Sequence, residues 1–292
     1  MEVRVLKYFL TVAREENITR AADILHISQP ALSRQMMQLE EELGTRLFVR
    51  GRHSTTLTEE GMLLRRRAQE IVDLTEKTER EFQSGQEEIS GTIAIGSGEG
   101  SVMRFLAEVM RGFSALYPAV RFDIYSNNAE HVKERLERGT LDLGVIIGNS
   151  DLSKYERIVL PVKERWGVLV PAKCPLSQRE HVTREDLAGH RVFVSKQGVS
   201  HGVADWFGEY YDKMEIYATY NLLYNAAMLV DGEIGAALCI EGAVSLYNSP
   251  NVIFKPFYPE LTARNTLIYK GQPMTRTVSK FIEFIKEHCK EA

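Results

Sequence analysis

The chain is 292 residues long, 44% of its residues are hydrophobic and 26% are charged, and its formal net charge at pH 7 is −4. These values predict an ordinary globular protein of about two domains, and the negative net charge argues against a general polyanion binder without excluding a specific one that has a local basic patch. No apolar run reaches the roughly 20 residues that cross a bilayer, and the acid-bearing amphipathic start is unlike a signal peptide, so we expect a cytoplasmic protein.

The first strong pattern, in residues 18–43, predicts two short helices joined by a tight turn. The apolar stripe of the first helix comprises Ile18, Ala21, Ala22 and Leu25, and that of the second comprises Leu32, Met36, Leu39 and Leu43. Ser28 is a good N-cap for the second helix, and Pro30 suits its first turn because the N–H that proline lacks has no partner there.

The other face of the second helix carries short polar and amide side chains together with one arginine. Arginine contacts guanine and glutamine contacts adenine through paired hydrogen bonds in the major groove, so this face suits base edges. The candidate DNA-contacting residues of the helical pair are Thr19, Ser28, Gln29, Pro30, Ser33, Arg34 and Gln38. From these residues alone, an ordinary helical pair with a solvated face remains the alternative.

A β-hairpin is predicted directly after the helical pair. Leu47, Phe48 and Leu57 bracket the sequence VRGRHSTT, which is typical of a hairpin tip between two short strands. The cations at this tip are Arg50, Arg52 and His53, which suit the DNA backbone or a narrow minor groove. Residues 1–58 are therefore predicted to form a winged helix-turn-helix DNA-binding domain.

The pattern AADxLHxSQPALSRQxxxLEEELGxRLF, in residues 21–48, resembles the DNA-binding head of LysR-type transcriptional regulators. The resemblance implies a sequence-specific regulator that binds an inverted repeat in double-stranded DNA, acts on RNA polymerase and responds to a small-molecule effector. It also implies that linker helices pair antiparallel and that the protein is a homodimer or homotetramer.

A long helix is predicted to begin at Thr58 and to run for about 25 residues. A seam with heptad-like spacing is formed by Leu64, Ala68, Ile71, Thr75, Thr78 and Phe82. A helix of this length with one narrow seam needs a partner, so a dimerising helix is favoured over packing on its own chain. Residues 59–90 are assigned to this linker and dimerisation helix and to a hinge with the sequence SGQEEISG.

Residues 91–292 alternate between apolar β-branched runs and amphipathic stretches, which is typical of an α/β fold with parallel strands. Strands are predicted at residues 92–96, 120–125, 141–147, 166–170, 192–195, 235–239 and 265–269, and helices at about 101–117, 131–138, 204–211, 222–230 and 278–288. The order resembles the effector domain of the same family, which implies two lobes of periplasmic-binding-protein type. Lobe I would comprise about 91–161 and 266–292, and lobe II about 162–265, with crossings near Pro161 and Arg264.

Ligands of open α/β sheets bind beyond the carboxyl ends of the strands, and the resemblance places such a site in a cleft between the lobes. The candidate effector-contacting residues at these ends are Ser97, Glu99, Gly100, Ser101, Ser126, Asn127, Asn149, Ser195, Lys196 and Asn221. A carboxylate at Glu99 opposes an anionic effector unless it caps a helix itself, and Lys196 offers an offsetting charge.

Two other classes of function are alternatives to an effector-controlled regulator. The glycines Gly96, Gly98 and Gly100 suggest a dinucleotide loop, but Ser101 holds the place of the third glycine and residues 126–128 supply no ribose-binding acid. A free-standing solute-binding protein would leave residues 1–88 unexplained. The histidines and cysteines show no spacing typical of a catalytic or metal site, so we expect no enzyme activity, no metal and no cofactor other than the effector.

Overall fold

The computed structural model describes residues 1–50, 55–83, 89–196, 202–271 and 274–291. The chain forms two compact units, Met1–Gly85 and Gln86–Ala292. Within the described ranges, no helix combines the length and the apolarity needed to cross a membrane.

The first unit is a winged helix-turn-helix, as predicted. Its helices are α1 (Val3–Glu15), α2 (Ile18–Ile24), α3 (Gln29–Leu43) and α4 (Glu59–Gln83), and its antiparallel strands are β1 (Phe48–Arg50) and β2 (Thr55–Leu57). Local chemistry sets the helix ends, because the side chains of Asn17 and Ser28 accept backbone N–H groups at the starts of α2 and α3. Gly44, at a φ of 66°, ends α3 in the left-handed conformation that glycine adopts at no steric cost.

One apolar core joins all four helices and the hairpin of the first unit. Its buried residues are Leu6, Phe9, Val12, Ala21, Ala22, Leu32, Met36, Leu39, Leu47, Phe48, Ala68 and Val72. The rings of Phe9 and Phe48 lie 5.3 Å apart and hold the hairpin against α1. Of the apolar stripe predicted for α3, Leu32, Met36 and Leu39 are buried in this core, whereas Leu43 is exposed.

The dimerisation seam predicted on α4 needs a correction. Ala68 is fully buried in the core of its own unit and is not available to a second chain, whereas Leu64 packs against that core and is half-buried. Their face of α4 is covered by α1, which Lys7 also ties to α4 through an ion pair of 2.8 Å with Glu76.

The other predicted seam residues differ in their exposure. Ile71 and Thr78 are exposed, Thr75 is half-buried, and the side chain of Phe82 lies outside the described residues. Two further leucines of α4, Leu63 and Leu74, are also exposed within the chain. The apolar surface of α4 that remains uncovered is therefore shifted away from the predicted seam.

The second unit is an α/β structure with two lobes. Its strands are β3 (Gly91–Ser97), β4 (Val120–Ser126), β5 (Leu143–Ile147), β6 (Glu156–Pro171), β7 (Arg191–Ser195), β8 (Glu215–Tyr220), β9 (Ala236–Ile240), β10 (Val252–Pro256) and β11 (Thr262–Tyr269), and its helices are α5 (Val102–Leu116), α6 (Ala129–Glu137), α7 (Val203–Phe207), α8 (Leu223–Asp231), α9 (Glu241–Val244) and α10 (Arg276–Glu291). The strand order is β4-β3-β5-β11-β6-β9-β7-β8, with β10 also paired to β6. The neighbours of β3 and of β7 run parallel to them, as the alternation of strands and helices predicted.

Two long strands carry the chain between the lobes. The first part of β6 pairs with β11, and its last residues pair with β9 and β10. Lobe I has a core around Phe113 and Phe281, whose rings meet edge to face at 4.9 Å. Lobe II has its core around Phe207 and Phe257, which also meet edge to face.

Several elements of the second unit differ from the predictions. The strand predicted at residues 166–170 is only the second half of β6, and β8 and β10 were not predicted. Most of β8 is exposed at the edge of the sheet, so its sequence lacks the apolar run that marks a buried strand. The helix predicted at residues 204–211 ends at Phe207 because Gly208 adopts a positive φ of 55°, after which the chain continues as a 3₁₀ turn.

Candidate DNA-binding surface and effector cavity

Helix α3 presents its polar face to solvent, because its apolar stripe is buried on the opposite side. Of the candidate DNA-contacting residues in this region, Thr19, Ser28, Gln29, Pro30, Arg34 and Gln38 are exposed and Ser33 is half-buried. The hydroxyl of Ser28 accepts the N–H of Ala31 at 3.4 Å, and its exposure leaves it accessible beside the helix start. All seven residues are therefore at least partly accessible to solvent on α2, on α3 and in the turn between them.

The acidic end of α3 has a structural role that sequence reasoning missed. The carboxylate of Glu40 accepts the N–H groups of Leu47 and Phe48, with N···O distances of 2.8 and 3.1 Å. It thereby fixes the turn between α3 and β1. Glu42 forms an ion pair of 2.9 Å with the amino group of Met1. A signal for the role of Glu40 was its position on α3, next to buried Leu39 and eight residues before β1 begins at Phe48.

The hairpin is held against the helices through its backbone. Arg50 ends β1 opposite Thr55, whose N–H donates to the carbonyl of Glu16 over 2.7 Å. This bond fixes β2 to the connection between α1 and α2. The other two cations predicted at the tip, Arg52 and His53, lie outside the described residues.

A cavity of about 100 Å³ lies between the lobes of the second unit, at the carboxyl ends of the strands. Its lining consists of Gly98, Glu99, Asn128, Ala129, Val145, Ile147, Trp166, Ser195, Tyr220, Asn221, Leu222, Leu223, Cys239, Ile240 and Ala243. The position agrees with the general rule for ligand sites in open α/β sheets. Three of the ten candidate effector residues, Glu99, Ser195 and Asn221, line it.

The other seven candidates do not line the cavity. They are Ser97, Gly100, Ser101, Ser126, Asn127, Asn149 and Lys196. Some are occupied in the fold itself: the hydroxyl of Ser97 donates to the carbonyl of Gly98, and the amide of Asn127 donates to the hydroxyl of Tyr125. Lys196 is exposed, so the offsetting charge expected from it is not among the lining residues.

Three helix starts around the cavity are capped by acceptors of the chain itself. Glu99, in the loop after β3, accepts the N–H of Leu223 at 2.9 Å and so caps α8 from the other lobe. Asn128 accepts the N–H of His131 at 3.1 Å and caps α6. Free N–H groups at helix starts are the usual binding places of anions, and these caps occupy part of that capacity.

The third cap, Glu164, is buried and was missed by sequence reasoning. Only 1% of Glu164 is exposed, and its Oε1 atom accepts the hydroxyl of Ser101 at 2.8 Å and the N–H of Val102 at 3.1 Å. Asn265 donates to the same oxygen at 3.4 Å. Glu164 lies on β6, sixty-odd residues from α5 in sequence, so no local pattern could reveal the pairing.

Close packing, in part against this carboxylate, explains two glycines of the glycine-rich loop. A Cβ atom on Gly100 would lie 2.7 Å from Oε1 of Glu164, and one on Gly96 would lie 2.6 Å from the side chain of Leu141. These glycines are required by close packing. In a dinucleotide loop the pyrophosphate occupies the helix start, but here Glu164 fills that place with a negative charge.

Two aromatic residues complete the cavity wall. The hydroxyl of Tyr220 donates to the carbonyl of Leu238 at 2.6 Å, and burial raises the pKa of Tyr220 well above its usual value. Burial also raises the pKa of the Cys239 thiol. Both groups are therefore neutral at pH 7. Trp166, on β6, supplies a half-buried indole.

Comparison with known proteins identifies the family. Residues 3–62 match the model of the bacterial regulatory helix-turn-helix protein of the lysR family, and residues 86–290 match that of the LysR substrate binding domain. The chain belongs to the LysR family of transcriptional regulators. LysR-family membership confirms the predicted winged head and effector domain, and it replaces the oxidoreductase alternative, because the matched families and relatives are regulators.

Relatives of this LysR-family chain cover most of its length. It is 33% identical over 205 residues, 68% of each chain, to the uncharacterized HTH-type transcriptional regulator YybE of Bacillus subtilis. It is 27% identical over 296 residues, 98% of each chain, to the Hca operon transcriptional activator HcaR of Escherichia coli. The crystal structure of CbnR, a LysR family transcriptional regulator, shares the fold with a TM-score of 0.79 at 19% identity, over 99% of each chain.

Proposed function

We propose that this LysR-family chain is a sequence-specific regulator of transcription in which α3 reads base edges in the major groove and a small effector binds in the cavity between the lobes. The observation that carries the DNA-binding part is the exposed polar face of α3. Gln29, Arg34 and Gln38 project from a helix whose other side is anchored by buried Leu32 and Met36. A helix held in this way can enter a groove without losing its own packing.

The proposal assigns residues 1–58 to DNA binding, 59–90 to the linker, and 91–292 to effector binding. Base contacts come from Gln29, Ser33, Arg34 and Gln38, while Thr19, Ser28, Pro30, Arg50, Arg52 and His53 lie against the phosphates or the minor groove. The effector is contacted by Glu99, Ser195 and Asn221 of the original candidates and by Asn128, Trp166 and Tyr220. The protein binds this effector in the cytoplasm.

Dimerisation through α4 allows the protein to bind an inverted repeat, because each of the two half-sites is contacted by one DNA-binding domain. The exposed leucines Leu63 and Leu74 and the exposed Ile71 lie within about 80° of each other on the helix circumference. This stripe, together with Thr78, is the surface that a second chain covers in a homodimer or a homotetramer.

Regulation then follows from a shift between two arrangements of the assembly. An effector that binds one arrangement of the lobes more tightly shifts the equilibrium toward that arrangement. The size of the shift is limited by the difference between its affinities for the two arrangements. The change in placement of the heads alters the bending of DNA and the access of RNA polymerase to a promoter.

The proposal is tested by enrichment of genomic DNA. The purified chain is incubated with sheared DNA of its host, and the bound fragments are sequenced. A few intergenic fragments that share an inverted repeat are the expected result. Uniform recovery of all fragments, with and without added metabolites, contradicts a sequence-specific regulator.

The dimer is tested separately with Leu74→Glu. A charge placed on the exposed apolar stripe of α4 should lower the molar mass measured by light scattering to that of the monomer. Met62→Glu replaces another exposed apolar residue of the same helix, outside this stripe, with the same charge and should leave the mass unchanged. A dimer that persists in Leu74→Glu contradicts pairing through this stripe.

A further inference from the structure

The described residues that line the cavity between the lobes include one acid and no base. Among the described residues that line it, Glu99 is the carboxylate and none is a lysine, arginine or histidine. The two other ionisable groups, Tyr220 and Cys239, are neutral because burial raises the pKa of each. A charged ligand group would therefore meet Glu99 without an opposing cation from these lining residues.

The caps take up part of the anion-binding capacity of the helix starts beside the cavity. Glu99 already accepts an N–H at the start of α8, Asn128 does so at α6, and Glu164 does so at α5. An anionic effector would compete with these caps for the N–H groups, and at α8 and α5 it would lie next to a carboxylate. Like charges in a partly buried site repel strongly because water screens them poorly.

A cation meets the opposite situation. Glu99 uses Oε2 for Leu223, and a carboxylate has further lone pairs for a second donor. The indole of Trp166 and the ring of Tyr220 are in the same wall, and aromatic faces attract cations. The rest of the wall is largely apolar, with Val145, Ile147 and Ile240 among its residues.

The geometry points to an effector that is a primary amine on an apolar body, whose ammonium group binds the carboxylate of Glu99. This inference rests on the proposed function, since it names the chemical class of the ligand for the same cavity. The ammonium donates to Glu99, the amide and hydroxyl side chains of Asn221 and Ser195 lie nearby, and the apolar body fills the space beside Ile147 and Ile240.

The test uses three matched sets of probes that differ only in the charged group. They are butylamine, butanol and butyrate; cyclohexylamine, cyclohexanol and cyclohexanecarboxylate; and phenethylamine, 2-phenylethanol and phenylacetate. Each is titrated into the full chain by calorimetry. In at least one set the amine should bind about tenfold more tightly than the carboxylate, as a charge-assisted hydrogen bond provides. This preference is measured on the unaltered chain and does not depend on a variant.

The role of Glu99 is tested with Glu99→Gln. Glutamine keeps an oxygen that can accept the N–H of Leu223, so the cap on α8 is retained while the charge is removed. Affinity for the preferred amine should fall about tenfold, and affinity for the matched alcohol should change less than about threefold. Glu130→Gln is the control, because Glu130 is an exposed acid in the first turn of α6 that does not line the cavity.

The inference is overturned if no amine binds, if a carboxylate binds as tightly as its amine, or if Glu99→Gln leaves amine affinity unchanged. The same samples are assayed on the enriched DNA fragments. Specific DNA binding combined with a preference for carboxylates overturns the charge assignment alone. If the unaltered chain shows no sequence-specific DNA binding, the proposed function is overturned instead.

Discussion

The two candidate sites of this chain are built in opposite ways. Apart from the hairpin cations, the candidate DNA-contacting residues lie on α2, on α3 and in the turn between them, so they are close in sequence and helical spacing governs their placement. The cavity is assembled from loops and strands that run from Gly98 to Ala243. A site carried by a short stretch of chain depends on how its helices are anchored, whereas a site made of many segments depends on the contacts that hold those segments at a common edge.

The largest effect is expected from removing an anchor of the DNA-binding surface. Leu32→Ala truncates a fully buried side chain of α3, so it should lower the free energy of unfolding of the first unit by about 2–5 kcal/mol. Denaturant unfolding followed by circular dichroism measures the loss. Ile24→Ala truncates an exposed aliphatic residue of α2 and should have little effect on stability. Equal losses in the two variants would contradict the core assigned to the head.

The corresponding anchor of the cavity is Glu164. Glu164→Ala leaves the hydroxyl of Ser101 and the N–H of Val102 without their acceptor in a buried place, which should cost about 3 kcal/mol in the stability of the second unit. Thermal or denaturant unfolding of the full chain measures this cost. Glu130→Ala, at an exposed acid in the first turn of α6, is the comparison. A stability equal to that of the unaltered chain would show that the buried cap is dispensable.

A smaller effect is expected from a residue that contacts DNA without supporting the fold. Arg34→Ala should weaken binding to the specific site by about 1–3 kcal/mol and relax the choice at one base position. Titration of enriched and random DNA at the same salt concentration separates the two contributions. The stability of the head should be unchanged, because Arg34 is exposed. An equal loss on random DNA would count against base reading by this side chain.

The smallest effect is expected inside the cavity wall. Tyr220→Phe removes the hydrogen bond to the carbonyl of Leu238 while keeping the ring, so it should lower stability by about 1 kcal/mol. Amine binding should persist if the ring of Tyr220, and not its hydroxyl, faces the ligand. Calorimetry with the preferred amine checks this, and a complete loss of binding would assign the hydroxyl a direct contact.

Sequence reasoning succeeded where a pattern is local. The N-cap at Ser28, the buried stripe of Leu32, Met36 and Leu39, and the alternation of strands and helices after residue 91 all follow from spacing along one element. On α4 it did not foresee that two residues of the predicted seam belong to the core of the first unit, where Ala68 is buried and Leu64 is half-buried. A heptad pattern shows that one face is apolar and does not show which partner covers it.

The effector site shows the same limit in another form. Strand ends can be located from sequence, and three of the ten residues placed there, Glu99, Ser195 and Asn221, line the cavity. Sequence does not reveal which loop residues turn inward, because that depends on hydrogen bonds between segments far apart in the chain. The side chains of Ser97 and Asn127, for example, donate hydrogen bonds to Gly98 and Tyr125 and do not line the cavity.

The sequence by itself determined the winged head, its polar reading face and the α/β class of the effector domain, since each depends on the period of side chains along a helix or strand. Only the tertiary structure decided that Glu99 caps α8 across the cleft and that Glu164 caps α5 from a distant strand. The physical reason is that a carboxylate removed from water needs hydrogen-bond donors. Tertiary packing, and not distance along the sequence, decides which donors lie within reach.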